Sequence, residues 1–352
     1  MAGGHGTRFW PRSRKKTPKQ LLDIVSSEPM IRETIKRISK VISIDNVYII
    51  ANEEHRSELE RLLPEIPAEN LVFEPTAKNT APCIGLAAVL IHEKNPNGVM
   101  AVFPADHLIL DEDGFSNAME VSFDLAAQKD CLITLGMKAA YPETGYGYIK
   151  KGRQSTSFSG HDFFTVDHFE EKPEKKLAEK FLKSGNYYWN GGIFIWKTGV
   201  ILDSIQKYLP HNYSVLMEIR KRIGREKIED VLAEKYPQLE SISIDYGVLE
   251  HADNLLVLPA DIGWSDIGGW AALDMLISKK TKDNNVTWSK HISIDTKNCI
   301  IYSPKKLAAT IGIENIIIVE TDDVILVAAK DRSQDVKMIV DKLRESGLEE
   351  YL

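Results

Sequence analysis

Gly3, Gly4 and Gly6 stand beside Arg8, and Lys19 follows in a Pro-Lys-Gln tripeptide. Glycines let the backbone come close to a bound group, so that successive amide N–H groups can converge on phosphate oxygens. Arg8 adds a planar fork of donors and Lys19 a mobile point charge. Arg12, Arg14, Lys15 and Lys16 are expected to raise the local positive potential. A disordered basic tail is the competing reading. Phe9, Trp10, Pro11 and Pro18 speak against it, because a solvated tail has no need of bulky or rigid apolar groups. The stretch matches neither the GxxxxGKS/T phosphate loop nor the GxGxxG dinucleotide fingerprint. A nucleoside triphosphate or a sugar phosphate is the better candidate ligand.

Further chemistry-bearing residues lie along the chain. Asp106 follows the run GVMAVFPA, and open α/β sheets bind ligands just past strand ends. Glu171 and Lys172 are adjacent, so on one extended strand they would point to opposite faces; a turn at Pro173 is expected to let them converge. Asn190 can donate to one hydroxyl and accept from another. Asp261 and Asp266 both follow the run LLVLPA, and position alone does not separate them as a second carboxylate.

The elements that would carry these residues alternate. Apolar positions at helical spacing predict helices over residues 29–39, 53–63, 81–93 and 115–128. Between them, NVYIIA, NLVFEP, GVMAVFPADH and CLITLGM read as strands, the pattern of an α/β sheet with parallel order. The glycines and tyrosines of TGYGYIKKG suit a hairpin, and FFTVDHFEEKP suggests an added antiparallel region. Asn190 is expected in a turn before a strand over 193–196, and amphipathic helices fill 200–235. The polar interval KKTKDNN, beginning at Lys279, divides the chain into a catalytic domain over 1–280 and a small β-rich domain over 286–352 with an amphipathic closing helix.

The chain has 352 residues, 43% hydrophobic and 27% charged, enough for a large core. Its net charge of −7 argues against a protein that coats nucleic acid. No run of 18 apolar residues and no apolar leader is present, so neither a membrane span nor a signal peptide is inferred. Cys83, Cys131 and Cys299 are widely spaced without CxxC pairs, which suits a reducing, cytoplasmic setting.

Taken together, GGHGTRFWP with TPKQLL, then EPTAKNTAP, FPADH, TGYGYIKKG, FEEKP, YYWNGGIFIW, SIDYGVLE and WSDIGGW resemble, in that order, the motifs of the sugar-nucleotide pyrophosphorylases, specifically the mannose-1-phosphate guanylyltransferases. The resemblance implies a Rossmann-like, GT-A-like nucleotidyltransferase α/β fold with a mixed sheet and a C-terminal β-helix-like module. It implies transfer of GMP from GTP to α-D-mannose 1-phosphate, giving GDP-mannose and diphosphate, and allows a homodimer. Arg8, Lys19, Asp106, Lys172 and Asp266 would be catalytic, with Asp106 and Asp266 holding Mg²⁺; the motif selects Asp266 over Asp261. Gly3, Gly4, Gly6 and Thr7 would wrap the triphosphate. Glu74, Asn79 and Thr80 would face the nucleoside, with Pro104 and Ala105 beside them. Gly145, Tyr146 and Gly147 would approach sugar and nucleotide, Glu171 and Asn190 would read mannose hydroxyls, and Asp245 with Tyr246 would close the sugar side of the cleft, by direct contact or by supporting the residues that touch it.

Some positions depart from the family pattern. Lys78 stands where Arg is usual, and His5 fills a variable position. The family's loop follows a short apolar strand, whereas only Met1 and Ala2 precede Gly3 here. A segment upstream or another part of the chain is expected to take that place, or the sheet is impaired. The alternatives are a nucleotidyltransferase for another hexose 1-phosphate and a noncatalytic regulatory paralogue. No cupin-like metal domain is seen, so the isomerase activity fused to some relatives is not expected.

Overall fold

The computed structural model describes residues 1–4, 6–277 and 280–352. His5 and Lys279, singled out above, lie outside the described residues. The chain forms two compact units that interleave in sequence. The first contains Met1–Gly3, Ile35–Ala105 and Ile109–Trp264; the second contains Gly4–Thr34, Asp106–Leu108 and Ser265–Leu352.

In the first unit, β1 (Ile49–Asn52) and β2 (Leu71–Glu74) pair in parallel. A six-stranded sheet contains β3 (Val99–Val102), β4 (Leu132–Lys138), β5 (Gly147–Phe158), β6 (His161–Glu171), β7 (Tyr187–Lys197) and β8 (Leu255–Ala260) in the order β3-β7-β4-β8-β6-β5. Only β4 and β8 run parallel in it, because β7 returns from the β5–β6 hairpin and inserts antiparallel between β3 and β4. The sheet is therefore mixed, not parallel throughout. The hairpin turn sits at Ser159 and Gly160, both at positive φ, the backbone that two-residue hairpin turns demand. It does not lie within TGYGYIKKG, whose second half is the start of β5.

Met1 and Ala2 join the two sheet pieces. The Ala2 N–H donates to Ile50 O at 2.8 Å, the Met1 amino group to Phe103 O at 2.9 Å, and the Ala105 N–H to Met1 O at 3.0 Å. These two residues thus hydrogen-bond to both flanking segments. Helix Thr80–Lys94 packs with helices Thr198–Tyr208 and Pro210–Arg222 in one apolar cluster that includes Leu86, Val89, Trp196 and Leu216.

The second unit is built on short strands: β9 (Val286–Thr287), β10 (Lys290–Ile294), β11 (Ile300–Tyr302), β12 (Leu307–Ile311), β13 (Ile316–Glu320) and β14 (Ile325–Ala329). β9, β11 and β13 stack in parallel, as do β10 and β12, and antiparallel β14 follows β13. Ile300, Ile317, Val319 and Val336 pack in one core with Phe9, Trp10 and Trp270. No described helix is long and apolar enough to cross a membrane.

Candidate active site

Four of the expected residues, Gly4, Gly6, Thr7 and Arg8, lie in the glycine loop of the second unit. Gly6 has φ +60°, and a Cβ there would stand 2.4 Å from Lys19 Cβ, so both conformation and space require glycine. Residues Thr7–Phe9 form a single turn, and Ser13 Oγ donates to Gly6 O at 2.7 Å. Phe9 is buried against the Trp270 ring, centroids 5.3 Å apart, and Trp270 Nε1 donates to Trp10 O at 3.1 Å. The aromatic residues thus anchor the loop.

The neighbouring cations serve differently from the expectation. Arg12 pairs with Asp23 at 2.5 Å and lies over the Tyr302 ring. Arg14 donates to Tyr351 O and pairs with Asp323 at 2.8 Å, while Lys15 pairs with Glu349 at 3.2 Å. These groups tie the loop to the rest of the unit, and their acidic partners offset the positive potential they would otherwise add. Arg8 Nη1 donates to a neutral acceptor, Gln334 Oε1, at 2.8 Å.

Lys19, 5% exposed, donates from Nζ to Asp106 Oδ2 at 2.9 Å and also to the Asp266 carbonyl. Burial pushes the Asp106 carboxyl up, but the Lys19 charge, aided by His107 and by the Lys19 hydrogen bond, outweighs it and leaves the pKa below the usual carboxylate value. The loops carrying the two aspartates are stitched together by paired backbone bonds, Leu108 N–H to Ser265 O at 2.9 Å and Ser265 N–H to Leu108 O at 3.0 Å. Ile267, next to Asp266, is β-branched yet sits at φ +43° with its side chain fully buried. Such a conformation costs about 1–3 kcal/mol and persists only where packing over-determines it. At Gly268 a Cβ would lie 3.1 Å from Asp266 Oδ1 and 3.3 Å from Arg8 Nη1, so its absence leaves room for both groups. Asp261 instead forms an exposed pair with Lys138 in the first unit.

Asp106 and Asp266 supply oxygen donors only, and no group of three or more His, Cys, Asp or Glu that could hold a metal ion occurs among the described residues. A pair of carboxylates fits a hard divalent cation that completes its shell with substrate phosphate and water oxygens. It does not fit a closed structural zinc site.

In the first unit, Glu171, Lys172, Asn190 and Asp245 come together. Glu171 ends β6, and Lys172, at φ +48°, turns the chain one residue before Pro173, so the two side chains form an ion pair. Asn190 lies inside β7, not in a turn. The β4–β7 register shifts between Thr134 and Gly136, and Gly192 has φ +64°; this bulge lies next to Asn190, and bulges re-aim nearby side chains. Asn190 Nδ2 donates to Asp245 Oδ1 at 2.8 Å. Burial, reinforced by the Glu171 charge, raises the Asp245 pKa to about 6. Gly147 pairs with Glu171 across the β5–β6 ladder. The Gly145 N–H is held by Glu143 Oε1 at 2.8 Å, and Tyr146 packs edge-on to Trp189 and Trp264.

The segment expected to face the nucleoside is also in the first unit. Asn79, at φ +68°, caps helix Thr80–Lys94 by accepting from Thr80 N–H at 2.9 Å. Thr80 Oγ1 accepts from Ile244 N–H at 2.8 Å, tying this motif to the Asp245 segment. Glu74 is buried under it, its carboxylate bonded by the Tyr236 hydroxyl, and burial raises its pKa. A Cβ on Gly3 would lie 3.6 Å from Glu74 Oε2. Pro104 and Ala105 follow β3, with Ala105 fixed by Met1. Sequence reasoning missed Tyr236, Ile267 and Gln334. Tyr236 and Gln334 lie at no distinctive spacing and act through partners remote in sequence, whereas Ile267 lies inside WSDIGGW and is marked only by its left-handed backbone.

Residues 1–283 match the nucleotidyl transferase family model, and residues 289–343 match the mannoseP isomerase/GMP-like β-helix domain. The chain is 38% identical to mannose-1-phosphate guanylyltransferase 2 of Escherichia coli O157:H7, over 100% of this chain and 74% of that protein. It is 35% identical to mannose-1-phosphate guanylyltransferase of Escherichia coli K12, with the same coverages. A Thermus thermophilus structure described as a mannose-1-phosphate geranyltransferase superposes with TM-score 0.87 at 28% identity, covering 98% of each chain.

Proposed function

Since the chain belongs to the nucleotidyl transferase family and within it to the mannose-1-phosphate guanylyltransferases, we infer that it transfers GMP from GTP to α-D-mannose 1-phosphate, forming GDP-mannose and diphosphate. A phosphate oxygen of the sugar phosphate attacks the α-phosphorus of GTP, and the bond to the β-phosphate bridging oxygen breaks. The nucleophile is already an oxyanion, so no covalent enzyme intermediate is needed. Positioning and charge stabilisation are the main tasks.

Asp106 and Asp266 would hold the divalent metal the family uses, here proposed as Mg²⁺, which when bound offsets charge on the α-phosphate and the attacking phosphate. Arg8 and Lys19, with the amides of Gly3, Gly4, Gly6 and Thr7, bind the β- and γ-phosphoryls and stabilise the departing diphosphate. Lys172 exchanges Glu171 for the phosphate of mannose 1-phosphate and orients the nucleophile. Glu171, Asn190 and Asp245 accept from and donate to sugar hydroxyls, including the axial 2-hydroxyl. Asn79, Thr80 and the backbone around Glu74, Pro104 and Ala105 receive guanine and ribose, and Gly145, Tyr146 and Gly147 border sugar and nucleotide. These roles fall to residues 1–280, with residues 286–352 as the β-rich domain. The proposed setting is cytoplasmic, in keeping with three unpaired buried cysteines, and the proposed assembly a homodimer.

The observation that supports this most is one ammonium, Lys19 Nζ, bonded to both the Asp106 carboxylate and the Asp266 carbonyl. Three motifs far apart in sequence meet there. GTP and mannose 1-phosphate with Mg²⁺ should yield GDP-mannose and diphosphate in equal amounts, with ATP and glucose 1-phosphate far poorer. Equal use of either substitute would reassign the substrate; no product from any pair would reject the activity.

A further inference from the structure

The sequence presents residues 333–350 only as a closing amphipathic helix, yet this segment reaches the loop of the second unit. Val336 and Val340 are buried in one cluster with Phe9, Trp10 and Trp270. Trp10 Nε1 and the Arg14 guanidinium both donate to Tyr351 O, at 2.7 and 2.5 Å. Two residues before Val336, Gln334 Oε1 accepts from Arg8 Nη1 at 2.8 Å. Its neighbour Ser333 is buried, which fixes the backbone that presents the amide.

The type of acceptor matters. A guanidinium has five N–H donors in a rigid fork, and an amide oxygen occupies one without neutralising the charge. A carboxylate at the same place would make a charge-assisted pair and compete with an incoming anion. A neutral acceptor can therefore fix the direction of the fork while leaving its charge for a ligand. We propose that Gln334 is a positioning residue for Arg8, holding the guanidinium ready for the β- and γ-phosphoryls of GTP. This rests on the reading of Arg8 given above, and it makes the C-terminal segment part of the nucleotide-binding apparatus.

Steady-state kinetics on the full chain test it, with each substrate varied while the other saturates and with thermal unfolding measured on every variant. Gln334→Ala should raise KM for GTP about 3- to 10-fold, the range expected for the net worth of one exposed hydrogen bond, while KM for mannose 1-phosphate and the unfolding midpoint stay near wild type. Gln334→Glu should raise KM for GTP further, by a factor that shrinks with added salt. In an Arg8→Ala background Gln334→Ala should add nothing, because a residue acting through Arg8 has no effect once Arg8 is gone. A full extra loss in that background, or a lower midpoint with both KM values raised, overturns the proposal in favour of a structural role. A large loss in Arg8→Ala with an indifferent Gln334→Ala overturns this proposal alone. An indifferent Arg8→Ala overturns the reading of Arg8 as well.

Discussion

Around Lys19, in the second unit, the chain is held largely by main chain: a glycine at φ +60°, paired backbone bonds between Leu108 and Ser265, and Ile267 at φ +43° beside Asp266. Around Asp245, in the first unit, it is held by side chains: the Glu171–Lys172 ion pair, the Asn190 amide and a carboxyl whose pKa has moved to about 6. A phosphate chain presents the same oxygens in every nucleotide, so a fixed backbone cradle suits it. Sugars differ in the direction of single hydroxyls, and exchangeable side chains suit that task. The first region should therefore fail abruptly on substitution. The second should respond by degrees and with pH.

The largest loss is expected at Lys19. Lys19→Met removes the ammonium and leaves Asp106 without that partner, which should cost about 2–5 kcal/mol of transition-state stabilisation, or roughly 30- to several thousandfold in kcat/KM. A loss of only a few fold in a folded variant would break the comparison at its stronger side. Next is Gly6→Ala, where the left-handed backbone and the 2.4 Å approach to Lys19 Cβ both oppose a methyl group. About 1–3 kcal/mol of strain should appear as a lower unfolding midpoint together with a higher KM for GTP. An unchanged midpoint would show that the loop is not conformationally fixed.

Asp245 sharpens the other side. Its pKa is raised from 3.8 to about 6, so its contribution to folding is full below the unfolded value and falls as pH rises through the folded one. Binding should run the opposite way, because the ionised carboxylate is the hydroxyl acceptor. KM for mannose 1-phosphate should fall severalfold as pH rises through about 6, and Asp245→Asn should flatten that step while leaving KM for GTP alone. A step that survives in the variant would assign the proton elsewhere. The smallest effect belongs to Asp261→Asn. Its pair with Lys138 is exposed, with side chains 70% and 68% accessible, and such pairs contribute little; activity should stay within twofold, and a large loss would reopen the choice between Asp261 and Asp266.

Much of this was legible because the motifs encode local geometry. Glycine spacing announced the loop, apolar runs ahead of Asp106 and Asp266 announced strand ends, and the helix expected over 81–93 behind Asn79 and Thr80 begins one residue earlier, at Thr80. What escaped the sequence depended on remote partners or on the backbone conformation of single residues. Arg12, Arg14 and Lys15 look like a field for anions until Asp23, Asp323 and Glu349 are seen against them. Asn190 looks like a turn residue because two glycines follow it, but those glycines belong to a bulge inside β7. Lys172 reaches Glu171 by entering the left-handed region itself, without waiting for Pro173. Gln334 carries no motif at all; only its contact with Arg8, 326 positions away, singles it out.

The most direct test of shared charge handling by Asp106 and Asp266 is a double-mutant cycle on the rate of GDP-mannose formation from GTP and mannose 1-phosphate, with Asp106→Asn, Asp266→Asn and the pair, each titrated with Mg²⁺. Two carboxylates serving one ion should each be indispensable, so either single change should cost at least about a hundredfold and the double should lose little more than the worse single. Losses that multiply, or a single variant within twofold of wild type, would contradict it.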